Sequence, residues 1–112
     1  MSDHPELPND ADGDAIRRLL EHGSTLDRPM LIDFAVAAPN KKAARQIAEA
    51  AAKLGYKASC SPDEDAPTWT TTCSTRMVLS HHAVLAIQAE LDTLAKPFGG
   101  HSDGWGTFGN AD

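Results

Sequence analysis

Three segments of the chain repeat apolar residues at the spacing of an amphipathic helix. The first starts at Asp12 or Asp14, either of which can cap a helix, and Gly23 ends it. The second covers residues 41–54, and the third covers residues 80–96. The apolar stripes consist of Ile16, Leu19 and Leu20 in the first helix, Ala44, Ile47, Ala48, Ala51 and Leu54 in the second, and Val84, Ile87, Leu91, Leu94 and Phe98 in the third.

Strand patterns lie between and after these helices. Residues 30–36 alternate large apolar residues with small or polar ones, which predicts a strand with one buried face. Residues 56–61 and 69–77 alternate in the same way on either side of an acidic, proline-containing loop, which predicts a β-hairpin. In the last segment Trp105 and Phe108 are the only large apolar residues, and we expect a glycine-interrupted edge strand or a tightly packed loop there.

This order of elements predicts an α+β fold. After an extra N-terminal helix it reads strand, helix, strand, strand, helix, strand, the split β-α-β plan of a ferredoxin-like sandwich. The sheet should be rich in antiparallel pairs and covered by helices on one face. We expect a frayed or disordered N-terminus over residues 1–11 and a single domain over residues 12–110. The exposed sheet face should present Lys57, Ser59, Thr70, Thr72, Ser74 and Arg76.

The net charge of the chain narrows the classes of partner that it could bind. Sixteen acidic residues against ten basic residues give a formal net charge of -6. Such a charge repels a phosphate backbone unless the cations gather on one face, so nucleic acid is a disfavoured direct partner. No apolar stretch approaches the about 20 residues needed to cross a bilayer, and the acidic N-terminus is unlike a signal peptide. We therefore expect a cytoplasmic protein without a membrane partner.

The candidate reactive residues do not form a catalytic or metal-binding pattern. Cys60 and Cys73 fall on the apolar side of their strands, where a thiol is usually a small buried hydrophobe. Hairpin geometry could also bring them face to face, so a disulfide is the alternative. His81 and His82 point about 100° apart on a helix and cannot easily bind one ion. We predict no catalytic residues, metal or cofactor, and hence no enzyme.

Two other functions compete with protein regulation. A direct RNA-binding module would stack bases on aromatic side chains of the exposed sheet face, but the pattern places Tyr56 and Trp69 on the core side. A small-ligand domain would need a cavity with convergent polar groups near Trp105 and His101. A structure without a cavity beside Trp105 would eliminate the second alternative.

The C-terminal run Asp103-Gly104-Trp105-Gly106-Thr107 surrounds one large anchoring ring with glycines, which suggests unusual backbone dihedral angles. This run resembles the signature of the regulator of ribonuclease activity B (RraB) family, also called ribonuclease E inhibitor domains. Residues 51–56 and 14–19 agree with the family as well, so that the resemblance covers residues 12–108. We expect Asp103, Gly104, Trp105, Gly106 and Thr107 to have a structural role.

The resemblance implies a compact α/β sandwich that binds ribonuclease E, the endonuclease of the RNA degradosome, and restrains its cleavage of RNA without being an enzyme. On that hypothesis Asp63, Glu64 and Asp65 of the acidic loop are the candidate contacts, because they would meet the basic RNA-binding segments of the target. The pattern also leaves open homo-oligomerisation through an exposed edge strand.

Overall fold

The computed structural model describes residues 10–64, 66–107 and 109–110. Predictions about residues 1–9, Asp65 and Phe108 lie outside this part of the chain. Within it, three α-helices and a four-stranded antiparallel sheet confirm the α+β class. In chain order the elements are α1 (Ala11–Glu21), β1 (Pro29–Ala38), α2 (Lys41–Lys53), β2 (Lys57–Pro62), β3 (Trp69–Val78), α3 (His81–Ala95), a 3₁₀ turn (Lys96–Phe98) and β4 (His101–Thr107).

The sheet is an open one with the strand order β2-β3-β1-β4. Strand β1 lies between β3 and β4 and is antiparallel to both, so β2 and β4 form the two edges. Even-numbered residues of β1 are buried from Met30 to Ala38, as the alternating pattern predicts. Every second position along the sheet therefore faces the helices, and the intervening positions face outward.

The core lies between that face of the sheet and the helices. Its buried members are mostly aliphatic and include five alanines, four of them on α2 and α3, which let these helices approach the sheet closely. The hydroxyl of the buried Thr71 donates to the Ala44 carbonyl oxygen at 2.9 Å, so β3 is bonded directly to α2. No side-chain nitrogen or oxygen buried in the described part of the chain lacks a hydrogen-bond partner. The largest buried side chains are Phe34, Ile16, Met30, Ile32, Ile47, Leu79 and Leu91.

Helix caps explain where the helices begin, with one correction. Asn40 and Ser80 cap α2 and α3 as predicted, through side-chain oxygens that accept from backbone amides three residues later. Helix α1, however, is capped by Asp10 rather than by Asp12 or Asp14. A cap residue needs extended backbone, which Asp10 has, whereas the two other aspartates lie inside the first turn. At these positions their negative charges interact favourably with the positive end of the helix dipole.

Leu54 is a second correction. The sequence pattern places it in the apolar stripe of α2, but its side chain is 55% exposed. Helix α2 ends at Lys53, and Leu54 is the cap residue that follows. Because it lies outside the regular turns, its side chain no longer continues the stripe that ends at Ala51.

Candidate functional site

The C-terminal motif forms most of the edge strand β4. Trp105 is half-buried and packs against the core, and its indole Nε1 donates to Asp12 Oδ1 at 2.8 Å. The two residues are 93 positions apart in the chain. Thr107 continues the attachment, since its hydroxyl donates to the Leu31 carbonyl oxygen at 2.5 Å. The motif thus joins the end of the chain to both α1 and β1.

An irregularity in β4 explains one of the two glycines of the motif. The pairing of β4 with β1 shifts register between Phe34 and Val36, opposite the segment that contains Gly104. Gly104 has a φ of 97°, in the region that side-chain-bearing residues rarely occupy. Gly106 pairs with Asp33 in regular register, and a Cβ atom there would meet nothing within 4 Å. The backbone therefore requires glycine at position 104 and not at position 106.

Asn110 fixes the loop between α1 and β1. Its side-chain oxygen accepts from the Thr25 amide at 2.9 Å, and its Nδ2 donates to the carbonyl oxygens of Thr25 and Arg28 at 3.1 and 3.0 Å. Sequence reasoning missed this role. An asparagine carries both a donor and an acceptor, but nothing in the pattern indicates a partner loop some 85 positions away.

The predicted contact residues of the acidic hairpin loop differ in their surroundings. Asp63 accepts the hydroxyl groups of Thr68 and Thr70 at 2.6 and 2.7 Å. These hydrogen bonds, of which the one from Thr68 has the larger effect, hold the pKa of Asp63 below its ordinary value of 3.8. The carboxylate therefore stays ionised near neutral pH. Glu64 is exposed, and Asp65 lies outside the described residues. Asp63 therefore shapes the loop, while Glu64 presents its charge to solvent.

A basic residue lies close to the same loop. Lys41 Nζ stands over the Trp69 ring at 5.6 Å from its centroid, and Trp69 pairs with Pro62 at the mouth of the loop. A cation at the start of α2 interacts unfavourably with the positive end of the helix dipole. The contact with the aromatic ring offsets part of this unfavourable energy. This corner of the molecule thus carries charges of both signs.

A cavity of about 420 Å³ lies between α1 and β4. Ala15, Arg18, Leu19 and His22 line it from α1 and its cap, and Trp105 and Thr107 line it from β4. His101, which the small-ligand alternative also places near such a site, is not among the residues that line this cavity. A cavity beside Trp105 nevertheless exists.

The reactive side chains of the described residues do not converge. Cys60 lies opposite Thr71 and Cys73 opposite Ala58, so the two cysteines are diagonal rather than face to face, and both are free thiols. Burial raises the pKa of Cys73 to about 11, which keeps its thiol protonated. The His81 ring is bonded to Asp10, the α1 cap. No group of three potential metal ligands occurs in the described part of the chain.

The outward face of the sheet is mainly polar on β2 and β3, with the exposed Leu31 and Val78 at one end, and it resembles no RNA-stacking platform. Cross-strand pairing sets Thr70, Thr72 and Ser74 opposite the outward-facing positions of β1, and Ser74 donates to Asp33 at 2.5 Å. Trp69 lies opposite the buried Ala38, on the helix side. The outward positions paired across β1, β2 and β3 carry no aromatic side chain, which removes the feature on which an RNA-recognition sheet depends.

These features define a two-layer α+β fold whose last described strand is bonded to its first helix. The chain belongs to the RraB family: the model of that family, described as regulator of ribonuclease activity B, matches residues 9–107. Membership places the protein among regulators of ribonuclease activity. A search of curated proteins found no match to the chain. Among the described residues no helix is both long and apolar enough to cross a membrane.

Proposed function

We propose that this protein is a non-catalytic regulator that binds an endoribonuclease of the ribonuclease E type, or its scaffold, and restrains RNA cleavage. The observation that carries the proposal is the family match over residues 9–107. The buried Cys73, whose thiol stays protonated, agrees with a regulator that works by binding.

The acidic loop supplies the contact in this proposal. An RNA-cleaving enzyme must attract phosphates, so its substrate-binding segments carry lysine and arginine. Asp63 is held ionised by two threonine hydroxyls in the hairpin loop, and the adjacent Glu64 is exposed. Asp65 adds a third charge in sequence. Because Asp63 is already held by hydrogen bonds, it loses little freedom on binding, and acidic charge speeds encounter with a basic surface.

The proposal extends to the arrangement of the domain. We infer the ferredoxin-like split β-α-β plan, with α1 added, as a single domain over residues 12–110. The order β1-α2-β2-β3-α3-β4 and the strand order β2-β3-β1-β4 support this inference. We also propose a cytoplasmic location, where a ribonuclease of this type would be encountered.

The test is a cleavage assay with a purified ribonuclease E-type enzyme and a fluorescent single-stranded RNA substrate. Addition of the protein should lower the cleavage rate in proportion to the fraction of enzyme bound, as measured by sedimentation or by calorimetry without RNA. Reversal of charge in Glu64→Lys with Asp65→Lys should weaken binding, and the loss should be greatest at low salt because exposed charges are screened.

The matched control is Glu21→Lys with Glu49→Lys, which changes the net charge equally at exposed positions of α1 and α2. It should retain most of the binding. Equal weakening by both double variants would show that net charge and not the loop matters. Absence of binding by the wild-type protein at 50 mM salt, a condition that favours electrostatic association, would refute the proposed function.

A further inference from the structure

The cleft between α1 and β4 has an apolar interior. Ala15 and Leu19 lie one turn apart on α1, and Leu19 also packs against the core. The Trp105 ring forms the opposite wall and is held by its bond to Asp12 at 2.8 Å. A volume of about 420 Å³ is within the range of sites that accept a large side chain or a small molecule.

The rim of the cleft carries the positive charge of Arg18 next to the imidazole of His22, in a chain whose net charge is negative. Arg18 and His22 are one turn apart, both are exposed, and both line the cleft. None of the lining residues is acidic, although the chain has a net charge of -6. In the described part of the chain neither side chain has an ion-pair partner. An acidic group bound beside the apolar interior would supply one.

We infer that the cleft between α1 and β4 binds a short acidic segment of a protein partner, with one aromatic or large aliphatic side chain inserted against Trp105 and flanking carboxylates on Arg18 and His22. The inference depends on the proposed function only in naming a protein as the partner. Charge complementarity decides the occupant: a basic segment would be repelled by Arg18, while an uncharged molecule would leave the charge of Arg18 without a partner.

This surface is distinct from the acidic hairpin loop. The loop joins β2 to β3 at the opposite edge of the sheet from β4. One partner could therefore meet both surfaces only if it presented a basic region and an acidic segment with an apolar side chain. Two contacts of opposite charge would also fix the orientation of the partner.

The test uses intrinsic fluorescence, because the chain has two tryptophans and Trp69→Phe leaves Trp105 as the reporter. The probe is N-acetyl-Asp-Phe-Asp-amide, and the matched probe is N-acetyl-Lys-Phe-Lys-amide at the same ionic strength. The acidic peptide should give a saturable change in Trp105 emission, with an affinity at least fivefold higher than that of the lysine peptide. Fivefold corresponds to about 1 kcal/mol, the upper end for exposed ion pairs.

Three variants in this background locate the site. Arg18→Glu should weaken binding of the acidic peptide at least fivefold, by the same estimate of about 1 kcal/mol. Lys53→Glu is the control, since Lys53 and Arg18 are each the basic residue in the last turn of their helices. It should leave the affinity unchanged. Ala15→Phe should fill the cleft and abolish the saturable response, while far-UV circular dichroism checks that the variant folds.

Equal affinity for the two peptides, or no saturable response to the acidic one, would overturn the inference. Cyclohexanol, an uncharged molecule that does not fluoresce, distinguishes the remaining occupant when it is added alone: saturation by cyclohexanol that the acidic peptide does not displace would identify a small-molecule cavity and also overturn the inference. Because no ribonuclease is present, these outcomes are separate from failure of the cleavage assay.

Discussion

At the scale of single residues, Gly104 and Gly106 flank the same tryptophan for different reasons. Gly104 lies at the register shift of β4 with a φ of 97°. Gly106 is in regular register, and there is open space where its Cβ would be. A glycine in a regular strand lowers stability, because it costs more backbone entropy than other residues.

The two glycines should therefore respond oppositely to alanine. Gly104→Ala should lower the free energy of unfolding by about 1–2 kcal/mol, the cost of a positive φ for a residue with a Cβ. Gly106→Ala should leave it unchanged or raise it by about 0.5–1 kcal/mol. Urea unfolding of both variants, followed by circular dichroism, measures the difference. Similar losses in the two variants would contradict the assignment of the register shift to Gly104.

At the scale of elements, the bond between Asp12 and Trp105 connects the first helix to the last strand. Helix α1 also packs on the core through Ile16, and it contacts α3. The indole hydrogen bond to a carboxylate, at 2.8 Å, fixes how α1 lies over β4. The cleft between the two elements exists only in that arrangement.

A double-mutant cycle should reveal this coupling. Asp12→Ala and Trp105→Phe together should destabilise the protein by less than the sum of the single changes, with a coupling free energy of about 0.5–1.5 kcal/mol. The control pairs Trp105→Phe with Asp14→Ala, which removes the ion pair of Asp14 with Arg17 instead. Those two changes should be additive, and equal coupling in both cycles would indicate a general effect of α1 charge.

The hairpin loop should make stability depend on pH through Asp63. Its pKa is lowered from 3.8 by hydrogen bonds from Thr68 and then Thr70. A carboxyl group whose pKa is lower in the folded state than in the unfolded state stabilises the fold at pH values above its unfolded-state pKa. This contribution is lost as the pH falls through the folded-state pKa. Asp63→Asn should therefore be less stable than wild type at pH 7, and the difference should shrink below pH 3.8.

The matched control for the loop is Glu64→Gln, which removes a neighbouring charge at an exposed position. Its unfolding curve should stay close to that of wild type across the same pH series. A difference between Asp63→Asn and wild type that persists unchanged in acid would show that the asparagine side chain, and not the lost charge, causes the effect.

The sequence predicts those elements whose signals are local. The alternation along β1 and the caps Asn40 and Ser80 depend on neighbours within a few positions, and the structure confirms them. The cap of α1 was misassigned, because several aspartates near the helix start are chemically equivalent candidates. The Asp12–Trp105 bond and the contribution of α1 to the cleft beside Trp105 could not be predicted, since both arise only when α1 docks against β4.

At the scale of the whole molecule, one buried cluster connects every helix to the sheet. It includes Ile16 of α1, Ile47 of α2 and Leu91 of α3, together with the inward face of β1. Trp69 and Trp105 both pack against this cluster, although they belong to β3 and β4 on opposite sides of β1. A core shared in this way favours a single cooperative unit.

The single-domain prediction can be tested with the two tryptophans. In Trp105→Phe the emission reports on Trp69, and in Trp69→Phe it reports on Trp105. The two variants will differ in stability, because only one of them loses the bond to Asp12. Each fluorescence transition in urea must therefore be compared with the circular dichroism transition of the same variant. Two-state unfolding predicts that the fluorescence and circular dichroism transitions of each variant have the same midpoint and slope. If the Trp105 emission instead changes before the helices unfold, β4 and α1 separate from the rest of the protein as an independent unit.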